Sequence, residues 1–150
     1  MTTSSNTRRI VPGLVAGFLM FAASIAPAFA AESVQVQLEG ERGGKMAITL
    51  NQDSIPAGEV TFQVVNMATG TPHEMIVVMI DAAGQEFVVG PDTDKVDEAT
   101  INSLGEVSGL KAGETGDLTL TLEPGNYKLI CNLKGHYAAG MAVAFTVTGA

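Results

Sequence analysis

From Val34 to Val147 apolar and polar residues alternate with a period of two, and few folds accommodate that pattern. Val34, Val36 and Leu38 are separated by Gln35 and Gln37, and Met46, Ile48 and Leu50 by Ala47 and Thr49. The same rhythm recurs in Val60-Phe62-Val64, Leu118-Leu120-Leu122 and Val143-Phe145-Val147. Side chains alternate across a strand, so each run describes a strand with one buried and one wet face. Turn-forming residues punctuate the runs: Glu41-Arg42-Gly43-Gly44, Ile55-Pro56-Ala57-Gly58, Gly70-Thr71-Pro72, Ala112-Gly113-Glu114 and Glu123-Pro124-Gly125-Asn126. About eight short strands of this kind imply an all-β antiparallel sandwich or barrel. The interval 91–109 breaks the rhythm and is expected to be irregular, with a helical turn around Asp97–Leu104. Its acidic residues Asp92, Asp94, Asp97 and Glu98 lack the ligand periodicity of a calcium loop and read as a solvated loop.

Two runs depart from plain amphipathicity. His73-Glu74-Met75-Ile76-Val77-Val78-Met79-Ile80 is apolar on both faces, the mark of a central, covered strand. In Tyr127-Lys128-Leu129-Ile130-Cys131 the charged Lys128 marks the outside, which turns Cys131 inward with Tyr127 and Leu129. Met141 shares the face of Val143, Phe145 and Val147, and His73 that of Met75 and Val77. Alternation alone therefore aims a histidine, the single cysteine and a methionine inward, each at a strand end.

The N-terminus reads differently. Arg8-Arg9 precede an apolar stretch from Ile10 to Ile25, followed by Pro27 and the small-x-small sequence Ala28-Phe29-Ala30. This is the pattern of a secretory signal peptide over residues 1–30, cleaved after Ala30. The alternative is a retained anchor, against which the stretch is short for a membrane span of about 20 residues. The arginine pair also raises twin-arginine export, although Ile10-Val11-Pro12 matches that signal poorly. Cleavage would leave a domain of residues 31–150, periplasmic or extracellular. It would remove two arginines and no acid, taking the net charge from −8 to −10. So acidic a chain lacks the cationic face that nucleic-acid binding requires.

The chain has two histidines and one cysteine. That excludes an internal disulfide and the paired-cysteine zinc sites. What remains is concentrated: Cys131-Asn132-Leu133-Lys134-Gly135-His136-Tyr137-Ala138-Ala139-Gly140-Met141 reads C-x4-H-x4-M, and His73 supplies a second imidazole from a distant strand. One thiolate, two imidazoles and a weak thioether form the donor set of a mononuclear blue-copper centre. Taken singly, each residue has a plainer reading as core packing or surface histidine. Together at strand ends, at this spacing, they point to one metal.

On these residues the chain resembles the cupredoxins. The resemblance runs from Ile55-Pro56-Ala57-Gly58 to Val147, through Asn66 to His73, Pro124 to Cys131, and the C-x4-H-x4-M loop. The loop spacing is similar to that of rusticyanins, auracyanins and sulfocyanins. The resemblance implies a Greek-key β-sandwich holding one copper per chain. His73, Cys131 and His136 would be equatorial ligands and Met141 the axial one, with Glu74 and Asn132 supporting them from behind. Relatives commonly carry Asn or Ser after the first ligand, bonding across to the cysteine loop; here Glu74 stands there. A carboxylate could accept backbone N–H bonds from that loop, or reach solvent at the sheet rim. The second histidine is expected to expose a ring edge within an apolar docking patch of Pro72, Leu133, Tyr137 and Ala138.

The leading expectation is an exported one-electron carrier, not an enzyme, that meets redox partner proteins transiently as a monomer. A copper chaperone or buffer could use the same ligands. A Cys131–His136 nucleophilic pair lacks an evident orienting third residue, and a metal-free adhesion sandwich would leave the spacing unexplained.

Overall fold

The computed structural model describes Met1 and residues 31–149, so the expected leader lies, Met1 apart, outside the described residues. Strands form at the alternating runs and also outside them: β1 (Glu32–Glu39), β2 (Ala47–Leu50), β3 (Ser54–Pro56), β4 (Gly58–Asn66) and β5 (His73–Ile80), then β6 (Asn102–Leu110), β7 (Thr115–Leu122), β8 (Gly125–Ile130) and β9 (Ala142–Thr148). They make two sheets, β2-β1-β4-β7 and β3-β9-β8-β5-β6.

The inward residues of the two sheets meet face to face. Val34, Val36, Leu38, Val60 and Phe62 from the first sheet pack with Met75, Val77, Leu129 and Phe145 from the second, all at most 1% exposed. The Phe62 and Phe145 rings meet edge to face at 5.4 Å, bridging the layers. Burying each such side chain contributes roughly 1.5–3 kcal/mol, which is why the alternation fixes which face turns inward. Cys131 and Met141 belong to this same core.

The structure departs from the sequence-based expectation in three places. Pairing is not purely antiparallel: β1 runs parallel to β4, and the short β3 parallel to β9. The interval expected to be irregular contains a strand, β6, and only a three-residue 3-10 turn at Glu98–Thr100. As a sheet edge, β6 buries only Val107 and Leu110. Its pairing with β5 shifts register twice, so no clean alternation marks it in the sequence.

The third departure concerns the outer face of the second sheet. Ile76, Val78, Ile80 and Ile130 pack under the segment between β5 and β6, against Val96, Phe87, Val89 and Ile101. Lys128 does lie on the face opposite Cys131, yet it is only 5% exposed. Glu86 folds over it at 2.7 Å and the Phe87 ring lies 5.5 Å from its ammonium. Covering both faces of β5 produces its nearly unbroken buried run. Among the described residues no helix is long and apolar enough to cross a membrane.

Candidate metal centre

β5 begins at His73, immediately after Pro72, and β8 ends one residue before Cys131. The chain between β8 and β9 then folds back on itself. His136 N–H donates to Leu133 O, Ala139 N–H to Gly135 O, and Gly140 N–H to Tyr137 O. Gly135 and Gly140 adopt φ of 81° and 97°, left-handed values that glycine accommodates without Cβ strain. The loop closes with Cys131 N–H on Met141 O and Met141 N–H on His136 O, both 3.1 Å. Cys131, His136 and Met141 are thereby fixed to one another by backbone, and all three are at most 2% exposed.

The side chains of His73, Cys131 and His136 converge. His73 Nδ1 lies 3.2 Å from His136 Nδ1, which lies 3.4 Å from Cys131 Sγ. All three donor atoms fall within 4.8 Å of one another, and the three residues are buried. Donors held about 2.0–2.3 Å from a single ion have to sit about this close. The soft thiolate and two imidazoles fit copper. Met141, completely buried, is joined to this group through its backbone bonds with Cys131 and His136.

Hydrogen bonds orient the group. His73 Nε2–H donates to Gly40 O at 3.0 Å, which leaves Nδ1 free to ligate. Glu74 N–H points at Cys131 Sγ at 3.5 Å. The Glu74 carboxylate, 9% exposed, accepts Asn132 N–H at 3.0 Å, so it bonds across to the cysteine loop rather than reaching into solvent. The Asn132 side chain accepts Val96 N–H at 2.7 Å and donates to Val96 O and to Glu98 Oε1, both 2.9 Å. Gly135 N–H donates to Asp94 O, a second tie between the ligand loop and the covering segment. Asp94, through its backbone carbonyl, and Glu98, through its carboxylate, thus brace that loop while both stay exposed, in keeping with the solvated loop read from the sequence.

Burial sets the protonation states. It pushes the Cys131 thiol up to about 11, against weaker lowering by N–H groups of Leu133 and Glu74. It lowers both histidines, His136 further through His73, so the imidazoles are neutral at neutral pH. It raises Glu74, opposed by the Asn132 N–H.

The expected docking patch is only partly on the surface. Pro72 and Ala138 are exposed and Leu133 is half-buried, but Tyr137 is buried. Tyr137 donates its hydroxyl to Glu86 at 2.6 Å and accepts Phe87 N–H at 3.1 Å, and its ring packs with Ile76, Val78 and Ile130. It therefore pins the ligand loop to the sheet. His136, expected to show a ring edge, is 2% exposed. Sequence reasoning missed Gly40, Glu41 and Glu86, because nothing local in the chain announces contacts with residues about thirty to fifty positions away.

Comparison with known proteins accords with this geometry. Residues 18–150 match the family model of the sulfocyanin (SoxE) domain. Auracyanin-B of Chloroflexus aurantiacus is 44% identical over 63 residues; these are 41% of this chain and only 24% of that protein. A solved auracyanin B structure is 30% identical, with a TM-score of 0.54 and coverage of 82% of this chain and 93% of that one. A reduced auracyanin from Roseiflexus castenholzii (21% identity, TM-score 0.57, 80% and 99% coverage) shares the fold. So does rusticyanin from Thiobacillus ferrooxidans (16%, 0.57, 80% of both chains).

Proposed function

The chain belongs to the sulfocyanin domain family of the cupredoxins, and on that premise we propose that it is an exported one-electron carrier with a single copper held by His73, Cys131, His136 and Met141. The observation that carries this reading is the convergence of His73 Nδ1, His136 Nδ1 and Cys131 Sγ in a buried cluster at one end of the sandwich. A bound copper would supply the one-electron chemistry, as a centre able to exist as Cu(I) and Cu(II). The chain supplies the rest. His73 is held by Gly40 O, and Cys131 and Met141 are locked by their mutual backbone bond, so the donors keep their places through oxidation and reduction. Met141 would supply a weak thioether donor that tunes the potential.

A carrier fits the site better than an enzyme. Nucleophilic catalysis by cysteine needs a depressed thiol. Burial instead raises the Cys131 thiol, and the His136 Nδ1 beside it sits at least as close to His73 Nδ1, as part of a buried donor cluster and not of an isolated nucleophile–base pair.

We assign residues 1–30 to an export signal and 31–150 to the copper-binding domain, which places the protein outside the cytoplasm. Partners would meet the site at the exposed Pro72 and Ala138 and the half-buried Leu133. Small apolar groups there allow close and brief contact, as electron transfer between proteins requires.

The test is the visible and EPR spectrum of the purified protein with one equivalent of Cu(II), followed by voltammetry. An intense thiolate-to-copper band, a narrow hyperfine pattern and a reversible one-electron wave are expected. A colourless adduct would overturn the blue-copper site. Ready loss of copper to a mild chelator would instead favour copper handling over electron transfer.

A further inference from the structure

The turn joining β1 to β2 carries an acidic side chain with an unusual number of partners. Glu41 is exposed, yet its carboxylate accepts four hydrogen bonds from one short stretch of chain. Thr69 N–H reaches Oε1 at 2.6 Å, Thr69 Oγ1 at 2.8 Å and Gly70 N–H at 3.3 Å, while Thr71 Oγ1 donates to Oε2 at 2.5 Å. Those residues are the approach to His73. Both neighbours of Glu41 act on the same stretch. Arg42 N–H donates to Thr71 Oγ1 at 3.1 Å, and Gly40 O accepts the His73 ring N–H at 3.0 Å. Three consecutive residues thus grip the segment Thr69–His73.

The grip extends to the other side of the site. Met46 N–H, at the far end of the same turn, donates to Ala139 O in the ligand loop at 3.3 Å. The β1–β2 turn therefore touches both of the chain segments that converge at the cluster, without supplying a donor to it. A single neutral bond from His73 to a backbone carbonyl orients the ring only as well as that carbonyl is itself held. Among the contacts of this turn, the carboxylate of Glu41 makes the most bonds to the segment carrying His73, and all are charge-assisted.

We infer that Glu41 is a positioning residue for the metal centre: by clamping Thr69–Thr71 to the β1–β2 turn it holds the Gly40 carbonyl against His73 Nε2 and so aims Nδ1 at Cys131 and His136. Its bearing on copper rests on His73 being a ligand, whereas the clamp itself is a property of the protein without metal.

Two variants and two readouts separate these. In the metal-free protein, Glu41→Ala should speed solvent exchange of the Thr69 and Gly70 amides and of the His73 ring N–H by about tenfold, because charge-assisted bonds to an exposed acceptor are partly screened. Thr71→Val, which removes one of the clamp's donors and the acceptor of Arg42 N–H, should speed the His73 ring N–H in the same direction. Amides of β8 and β9 should keep their protection in both, which separates a local release from unfolding. With Cu(II) added, Glu41→Ala should bind roughly 10- to 100-fold more weakly, the usual cost of losing support behind a ligand, with an altered copper hyperfine splitting. Unchanged exchange at the His73 ring N–H in Glu41→Ala would overturn the clamp. A wild-type protein without a thiolate–copper band would overturn the copper reading alone, and the exchange rates would still decide the clamp.

Discussion

Glu74 Oε1 accepts the backbone N–H of Asn132 at 3.0 Å, joining the residue after His73 to the residue after Cys131. The bond ties β5 to the start of the ligand loop and places a carboxylate beside the thiol, whose Sγ also faces Glu74 N–H. Negative charge there favours the more positive oxidation state of a bound metal. Glu74→Gln, which keeps an oxygen acceptor for Asn132 N–H, should raise the reduction potential by on the order of tens of millivolts. Voltammetry of the two copper proteins checks this, and equal potentials would remove the role for charge.

The proposed ligands have separable spectroscopic signatures. Cys131→Ser should abolish the visible colour, since the thiolate is its source. Met141→Leu should retain the colour and raise the potential, because a weak axial donor is lost without disturbing the other three donors. Spectra and voltammetry of both variants test the division of labour.

Gly40 has no room for a side chain. Its φ is +113°, and a Cβ would stand 2.6 Å from Lys45 O and 2.8 Å from Met46 Cα. Gly40→Ala should lower unfolding stability by about 1–3 kcal/mol through backbone strain. It should also displace the acceptor of the His73 ring N–H. Urea denaturation of the metal-free protein measures the first effect, and a faster-exchanging His73 ring proton the second.

Hydrogen bonds from Thr71 first, then Thr69, hold the Glu41 carboxyl down to about 2 from an ordinary 4.5. A folded value below the unfolded one contributes stability above the unfolded value, lost as pH falls through the folded one. The difference in thermal midpoint between the protein and Glu41→Ala should therefore be constant above about pH 5 and shrink between about pH 4.5 and 2. A difference that grows on acidification would contradict the assignment of those bonds.

The sandwich and the direction of its inward residues were legible because alternation is a local property. Val34-Val36-Leu38 and Val143-Phe145-Val147 bury the faces that their patterns announce. The same logic turned Cys131 and Met141 into the core, and the loop spacing put His136 between them. The edge strand β6 was not legible, because it buries two residues and shifts register against β5. Tyr137 was misread as surface for a related reason. Gly135, Ala138, Ala139 and Gly140 around it are small and exposed or half-buried, while its partners Glu86 and Phe87 lie about fifty positions earlier.

The sequence by itself determined an all-β chain with one cysteine, one histidine and a methionine drawn to strand ends and a second histidine in the loop between that cysteine and that methionine, since periodicity and spacing are written in neighbouring residues. Only the tertiary structure decided that β1 would lie parallel to β4, that the chain between β5 and β6 would cover Lys128, and that Gly40 and Glu41 would grip the approach to His73. Those outcomes depend on pairings between residues some thirty to forty positions apart. Such pairings are selected by the joint burial of two sheets and leave no periodic trace in either partner's own segment.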